Sequence, residues 1–145
     1  MRTSDGFHWT KVENHLPEAG SAIRDALSQV VTKAVLDIQG GSVANSPVSR
    51  HGGRLKSSIQ AIVPDPWGND IAGGVGTNVE YGPYQELGTG ARGAGGSYPY
   101  PRTARYTMSW PGISPRAFMA NAAKAVEQSF VAAVQRLQSR LPGRV

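Results

Sequence analysis

The sequence predicts an α+β fold: two long helices packed on a small antiparallel β-sheet, with a long projecting loop or β-arm. Three observations predict it. Apolar residues recur at intervals of three and four over residues 23–38, and again over 119–141, as amphipathic helices require. Two short apolar runs, 59–63 and 71–76, flank a segment dense in turn formers. Residues 88–110 carry no helical periodicity.

Length and composition set the frame. At 145 residues the chain is most simply one domain, 1–145, large enough to bury a core. Its 18 glycines against 39% hydrophobic residues concentrate that core in a few segments joined by long loops. The absence of cysteine excludes a disulfide framework and thiolate metal sites. No apolar run follows the first charged residues and none reaches the roughly 18 residues of a membrane span, so neither a signal peptide nor a membrane role is expected. Net charge is +5. No acid occurs between Glu86 and Glu127, while Arg92, Arg102, Arg105, Arg116 and Lys124 fall between them. Such a stretch can track phosphate, although scattered arginines in a loop are more often simply solvated.

The elements follow in order. Phe7 and Trp9 alternate with His8 and Thr10, giving a short strand over 6–12. Asn14 is placed to cap a helix and Pro17 to open its first turn, with Glu18 near the positive end of the dipole. Ile23, Leu27, Val30, Val31, Ala34 and Ile38 then form one apolar stripe, ended by Gly40-Gly41. This helix, about 17–39, should be roughly 35 Å long at 1.5 Å per residue. A mobile connector over 42–53 leads to a turn at Gly53-Arg-Leu-Lys-Ser-Ser-Ile59. Residues 59–63 and 71–76 pair as an antiparallel hairpin, a sheet of about 59–77, across Pro64-Asp-Pro-Trp-Gly-Asn-Asp70.

Val79-Glu-Tyr-Gly-Pro-Tyr-Gln-Glu-Leu-Gly-Thr-Gly90 is the organising stretch. Pro83 fits a first helical turn, and Gly88 and Gly90 end it. Tyr81, Tyr84 and Leu87 share one face, with Gln85 and Glu86 opposite. A tyrosine-anchored turn with an acidic edge suits docking. Beyond it, the loop or arm of about 88–111 holds Tyr98, Tyr100, Tyr106 and Trp110 at alternating spacings that suit a β-ribbon. The terminal helix, about 115–141, is capped by Ser114, opened by Pro115 and ended by Pro142-Gly143.

The chemistry is bare. Gly88-Thr-Gly-Ala-Arg-Gly93 matches a dinucleotide fingerprint, but no buried strand precedes it and no helix can start at Ala94-Gly-Gly-Ser-Tyr-Pro. His8, His15 and His51 lack ligand spacing, and Glu80 and Glu86 have no nucleophile or oxyanion donor beside them. Ser57-Ser58 has no nucleophile-elbow context. The expectation is therefore no enzyme, no catalytic residue, no metal and no cofactor.

Three motifs in order carry a resemblance: Gly53-Arg-Leu-Lys-Ser-Ser-Ile59, then Val79 to Gly90, then Pro115-Arg-Ala-Phe-Met119 leading the terminal helix. Over about residues 15–141 the chain resembles the neck proteins of long-tailed bacteriophages. It is most similar to the head–tail joining or tail-completion family named for the tenth gene product of a lambdoid phage. Gly52 stands where threonine is commoner, Leu87 where phenylalanine is, and Ala117 where proline is.

The resemblance implies a structural virion protein that forms a ring, of sixfold symmetry, in the head–tail connector or tail-completion complex. Its partners would be copies of itself, a connector or stopper, a tail terminator or tail tube, and the DNA passing through the channel. Its place would be the virion neck or tail, and the bacterial host cytoplasm during assembly. The residues expected at subunit or partner interfaces are Tyr81, Tyr84, Glu86, Leu87, Tyr98, Tyr100, Tyr106, Trp110 and Phe118. Arg92, Arg102 and Arg105 are expected to face the lumen and DNA or acids on a partner ring. The competing reading is a stand-alone nucleic-acid-binding module that uses the basic aromatic loop as a stacking platform.

Overall fold

A computed structural model describes residues 12–14, 20–47, 53–89, 92 and 111–140. The fold is α+β, as the sequence predicts. Its elements in chain order are β1 (Val12–Asn14), α1 (Ser21–Asn45), α2 (Arg54–Ser58), β2 (Gln60–Ile62), β3 (Ile71–Gly76), α3 (Gly82–Leu87) and α4 (Phe118–Arg140).

The sheet has three strands in the order β1-β3-β2, and both pairings are antiparallel. The expected hairpin is present, with Gln60 opposite Gly76 and Ile62 opposite Gly74. Of the strand expected over 6–12 only Val12 is described, and it lies in β1, which continues to Asn14. Val12 pairs with Gly73 and Asn14 with Ile71, so Asn14 belongs to a strand and does not cap the helix. Residues 6–11 and 15–19, including Pro17 and Glu18, lie outside the described residues.

α1 begins at Ser21, where the Gly20 carbonyl accepts the N–H groups of Ile23 at 3.0 Å and Arg24 at 3.1 Å. It runs through Gly40-Gly41, the expected stop, to Asn45. Packing explains the correction. A Cβ on Gly41 would stand 3.0 Å from the Ala122 Cβ, so the glycine lets α4 approach the helix backbone. An interior glycine costs roughly 1 kcal/mol, which the interhelical contact offsets at Gly41. Ser42, fully buried, returns its hydroxyl to the Ile38 carbonyl at 2.7 Å. The helix stops at Ser46, whose extended backbone is the one its neighbour Pro47 imposes.

α1 is the central element. One flank packs on β3 and β2, and another packs along α4. Gly41, near the end of α1, meets Ala122, near the start of α4, so the two helices run antiparallel. Leu27, Val31, Val35 and Ile38 join Leu55, Ile59, Ile71, Val75, Val79, Phe118, Met119 and Ala122 in one core. Burial of α4 is uneven. Phe118, Met119 and Ala122 are buried, whereas Val126, Phe130 and Leu137 are only partly so and Val131 is 45% exposed.

α4 starts three residues later than Ser114-Pro115 signals. Ser114, Pro115 and Arg116 are exposed and non-helical, and Ala117 takes a positive φ of 46° before the helix begins at Phe118. The reason lies in what caps the helix.

Candidate functional site

The organising stretch holds the start of α4. The Glu86 side chain is 1% exposed, and its two carboxylate oxygens accept the N–H groups of Met119 at 3.0 Å and Ala120 at 2.8 Å. The backbone adds two more bonds: Arg116 N–H to the Gln85 carbonyl at 2.9 Å and Ala117 N–H to the Glu86 carbonyl at 3.0 Å. The last carbonyls of one helix and the first amides of another are groups that no intrahelical bond can satisfy. Here the Glu86 carboxylate satisfies two amides of the first turn of α4, and the last carbonyls of α3 accept from the two residues just before it. A buried carboxylate at a helix N-terminus is stabilised by charge-assisted hydrogen bonds and by the positive end of the dipole.

The same stretch is tied to the first motif. Ser58 of α2 and Thr77, just past β3, share a hydroxyl–hydroxyl bond of 2.5 Å, and Thr77 Oγ1 also accepts the Val79 N–H at 3.2 Å. Gly82 packs so closely that a Cβ would lie 2.6 Å from Thr77 Cγ2 and 3.4 Å from Leu55 Cδ1. The three sequence motifs therefore meet at one junction: α2 against the turn before α3, and α3 against the start of α4.

That junction also closes the base of the long loop. Thr89, 0% exposed, donates its N–H to the Ile113 carbonyl at 2.9 Å, and its Oγ1 accepts the Ile113 N–H at 3.0 Å. Arg92 N–H reaches the Pro111 carbonyl at 3.2 Å. Gly88 makes this zip possible. Its φ is 72°, and a Cβ there would sit 2.3 Å from the Ile113 oxygen. Residues 92 and 111 are thus neighbours.

The expected site residues divide. Tyr81, Tyr84 and Leu87 are partly buried on α3 and its leading turn, and Tyr81 packs against the core. Arg92 is exposed at the loop base. Glu86 and Phe118 are each 1% exposed, inside the chain's own core. The acidic edge expected at Glu86 is instead an internal cap, and Phe118 is a core residue rather than a surface anchor. Tyr98, Tyr100, Arg102, Arg105, Tyr106 and Trp110 lie outside the described residues, as does most of the projecting loop or arm.

Two surface features were not singled out by sequence reasoning. The first is a groove of about 570 Å³ between α1 and α4, lined by Val30, Ala34, Val126, Phe130, Ala133 and Leu137 among others. The second is Trp67, 91% exposed at the tip of the β2–β3 turn, with Ile62 and Val63 each 48% exposed on the same hairpin. A tryptophan between Pro66 and Gly68 has no periodic apolar partners, which is the signal that could have flagged it. Among the described residues no group of three or more His, Cys, Asp or Glu side chains is placed to hold a metal ion, and no helix is long and apolar enough to cross a membrane.

A family model described as "Bacteriophage HK97-gp10, putative tail-component" matches residues 10–88, more than half of the 145-residue chain. The match takes in the sheet, α1, the first motif and nearly all of the second; the third motif and α4 lie beyond it. No curated protein and no solved structure matches the chain.

Proposed function

Since the chain belongs to the HK97-gp10-like family of bacteriophage tail components, we propose that it is a head–tail joining or tail-completion protein. In this reading it forms a hexameric ring at the neck, through which DNA passes, and its role is structural rather than catalytic. The observation that carries the proposal is the half-covered face of α4. Val126, Phe130 and Leu137 are left partly open beside α1, and Val131 is 45% exposed. Apolar surface left open on a long helix suits burial against another subunit.

In the same reading Tyr81, Tyr84 and Leu87, with Tyr98, Tyr100, Tyr106 and Trp110 of the long loop, contact neighbouring subunits or neck proteins. Large aromatic side chains supply most of the energy at such contacts. Arg92, Arg102 and Arg105 pair with acids on a partner ring or line the lumen near DNA. The partners are other copies of the chain, a connector or stopper, and a tail terminator or tail tube. The place of action is the virion neck, after assembly in the host cytoplasm.

The test is the solution mass of the purified chain at low and high salt, without nucleic acid. A closed oligomer that ignores salt is expected. A monomer that binds duplex DNA, with affinity falling steeply as salt rises, would favour the stand-alone nucleic-acid module instead.

A further inference from the structure

The exposed tryptophan and the open groove are complementary in chemistry and charge. The tip is rigidly presented. Asp65 accepts the Trp67 N–H at 2.9 Å through its side chain and the Gly68 N–H at 3.2 Å through its carbonyl. Arg24 of α1 donates its guanidinium to the Gly68 and Asn69 carbonyls, pinning the turn to the helix. A side chain 91% exposed on a turn so held gains little from packing among the described residues. A tryptophan offers about 200 Å² of surface for burial elsewhere.

The groove offers the matching site. Val30, Phe130, Ala133 and Leu137 supply an apolar floor, and Arg136 and Arg140 stand on its wall. Lys33 and Asp37, also in the lining, pair with each other at 2.5 Å, so the arginines leave the groove net positive. The tip segment, residues 64–70, carries Asp65 and Asp70, and with the Arg24 guanidinium held against it the tip keeps one net negative charge. A net negative tip therefore suits a net positive groove, and a guanidinium near an indole face would add a cation–π contact.

Position decides who occupies the groove. Arg24, which holds the tip, and Val30, in the groove, lie six residues apart on α1 and so face about 120° away from each other. The tip and the groove therefore occupy different flanks of one chain and can meet only between chains. A contact that joins one patch to a different patch on the next copy is head-to-tail, the kind that makes a ring when the rotation between copies closes. We propose that Trp67 of one copy seats in the α1–α4 groove of the next copy. This inference rests on the ring reading above.

The chain has no cysteine, which makes a cross-linking test clean. Asn69→Cys protein, which keeps Trp67 and places the thiol on the same exposed turn, carries an affinity tag and is mixed with untagged Ala133→Cys protein and a short thiol cross-linker. The proposal expects at least about tenfold more tagged–untagged dimer than the same mixture made with Leu36→Cys, because docking raises the local thiol concentration. Leu36 is 49% exposed on α1 and is not part of the groove lining. Trp67→Ala should fold with an unchanged melting midpoint and associate about 30-fold or more weakly, as loss of a buried interface tryptophan does. An oligomeric wild-type chain with no enrichment at Ala133 would overturn the docking while leaving the ring intact. A monomeric chain with no cross-link at either position would overturn both. Unchanged assembly of Trp67→Ala would also overturn the docking.

Discussion

The carboxylate of Glu86 caps the helix that begins beside Met119, 33 residues further along the chain, accepting the Met119 N–H at 3.0 Å and the Ala120 N–H at 2.8 Å. An N-cap normally comes from the residue just before the helix. Here that position is Ala117, whose methyl group offers no hydrogen-bond acceptor. The cap therefore couples the turn that contains Glu86 to the placement of α4. α4 in turn supplies Phe118, Met119 and Ala122 to the core.

Removing that carboxylate should be costly. Glu86→Ala leaves two amides without their acceptor and should lower stability by about 3 kcal/mol. Glu86→Gln keeps one acceptor and should cost about half as much. Urea unfolding followed by circular dichroism measures both. Equal stability of Glu86→Ala and wild type would mean that the helix finds another cap.

Ala117 makes the opposite prediction. Its φ of 46° lies where a Cβ crowds the backbone, a strain of about 1 kcal/mol that glycine does not carry. Ala117→Gly should therefore raise the unfolding midpoint, a gain trimmed by the glycine's larger unfolded-state entropy. Ala117→Pro should destabilise the chain, because the ring holds φ near −65°. The proline commoner at this place in the resembling pattern thus requires a different local backbone from the one seen here.

The closed loop base permits a clean excision. Arg92 and Pro111 are already joined by a 3.2 Å backbone hydrogen bond, so residues 93–110 can be replaced by a two-residue glycine turn. The variant should fold with stability within about 1 kcal/mol of wild type, since loop length contributes only weakly to closure entropy. It should also lose assembly if Tyr98, Tyr100, Tyr106 and Trp110 anchor the neighbouring subunit. Light scattering reads the outcome, and a folded variant that assembles normally would remove the loop from the interface.

The fold class was legible because periodicity is a local property. The stripe from Ile23 to Ile38, the hairpin across residues 60–76 and the stripe from Met119 to Leu137 each showed in spacing alone. The misplaced boundaries have non-local causes. Gly40-Gly41 is a stop signal when read alone, but the Ala122 methyl beside Gly41 makes it a packing site. Ser114-Pro115 is a start signal, yet the cap comes from Glu86, and no local pattern reports that. For the candidate site, Tyr81, Tyr84 and Leu87, which spacing groups together, are all partly buried. Spacing could not tell which side of the turn is covered, so Glu86 read as an open edge when it is 1% exposed.

Electron microscopy of the purified chain tests the central claim most directly. The account predicts closed rings of a single copy number with an axial opening wide enough for duplex DNA, unchanged between low and high salt. Compact particles without an opening, or open filaments of variable length, would contradict it.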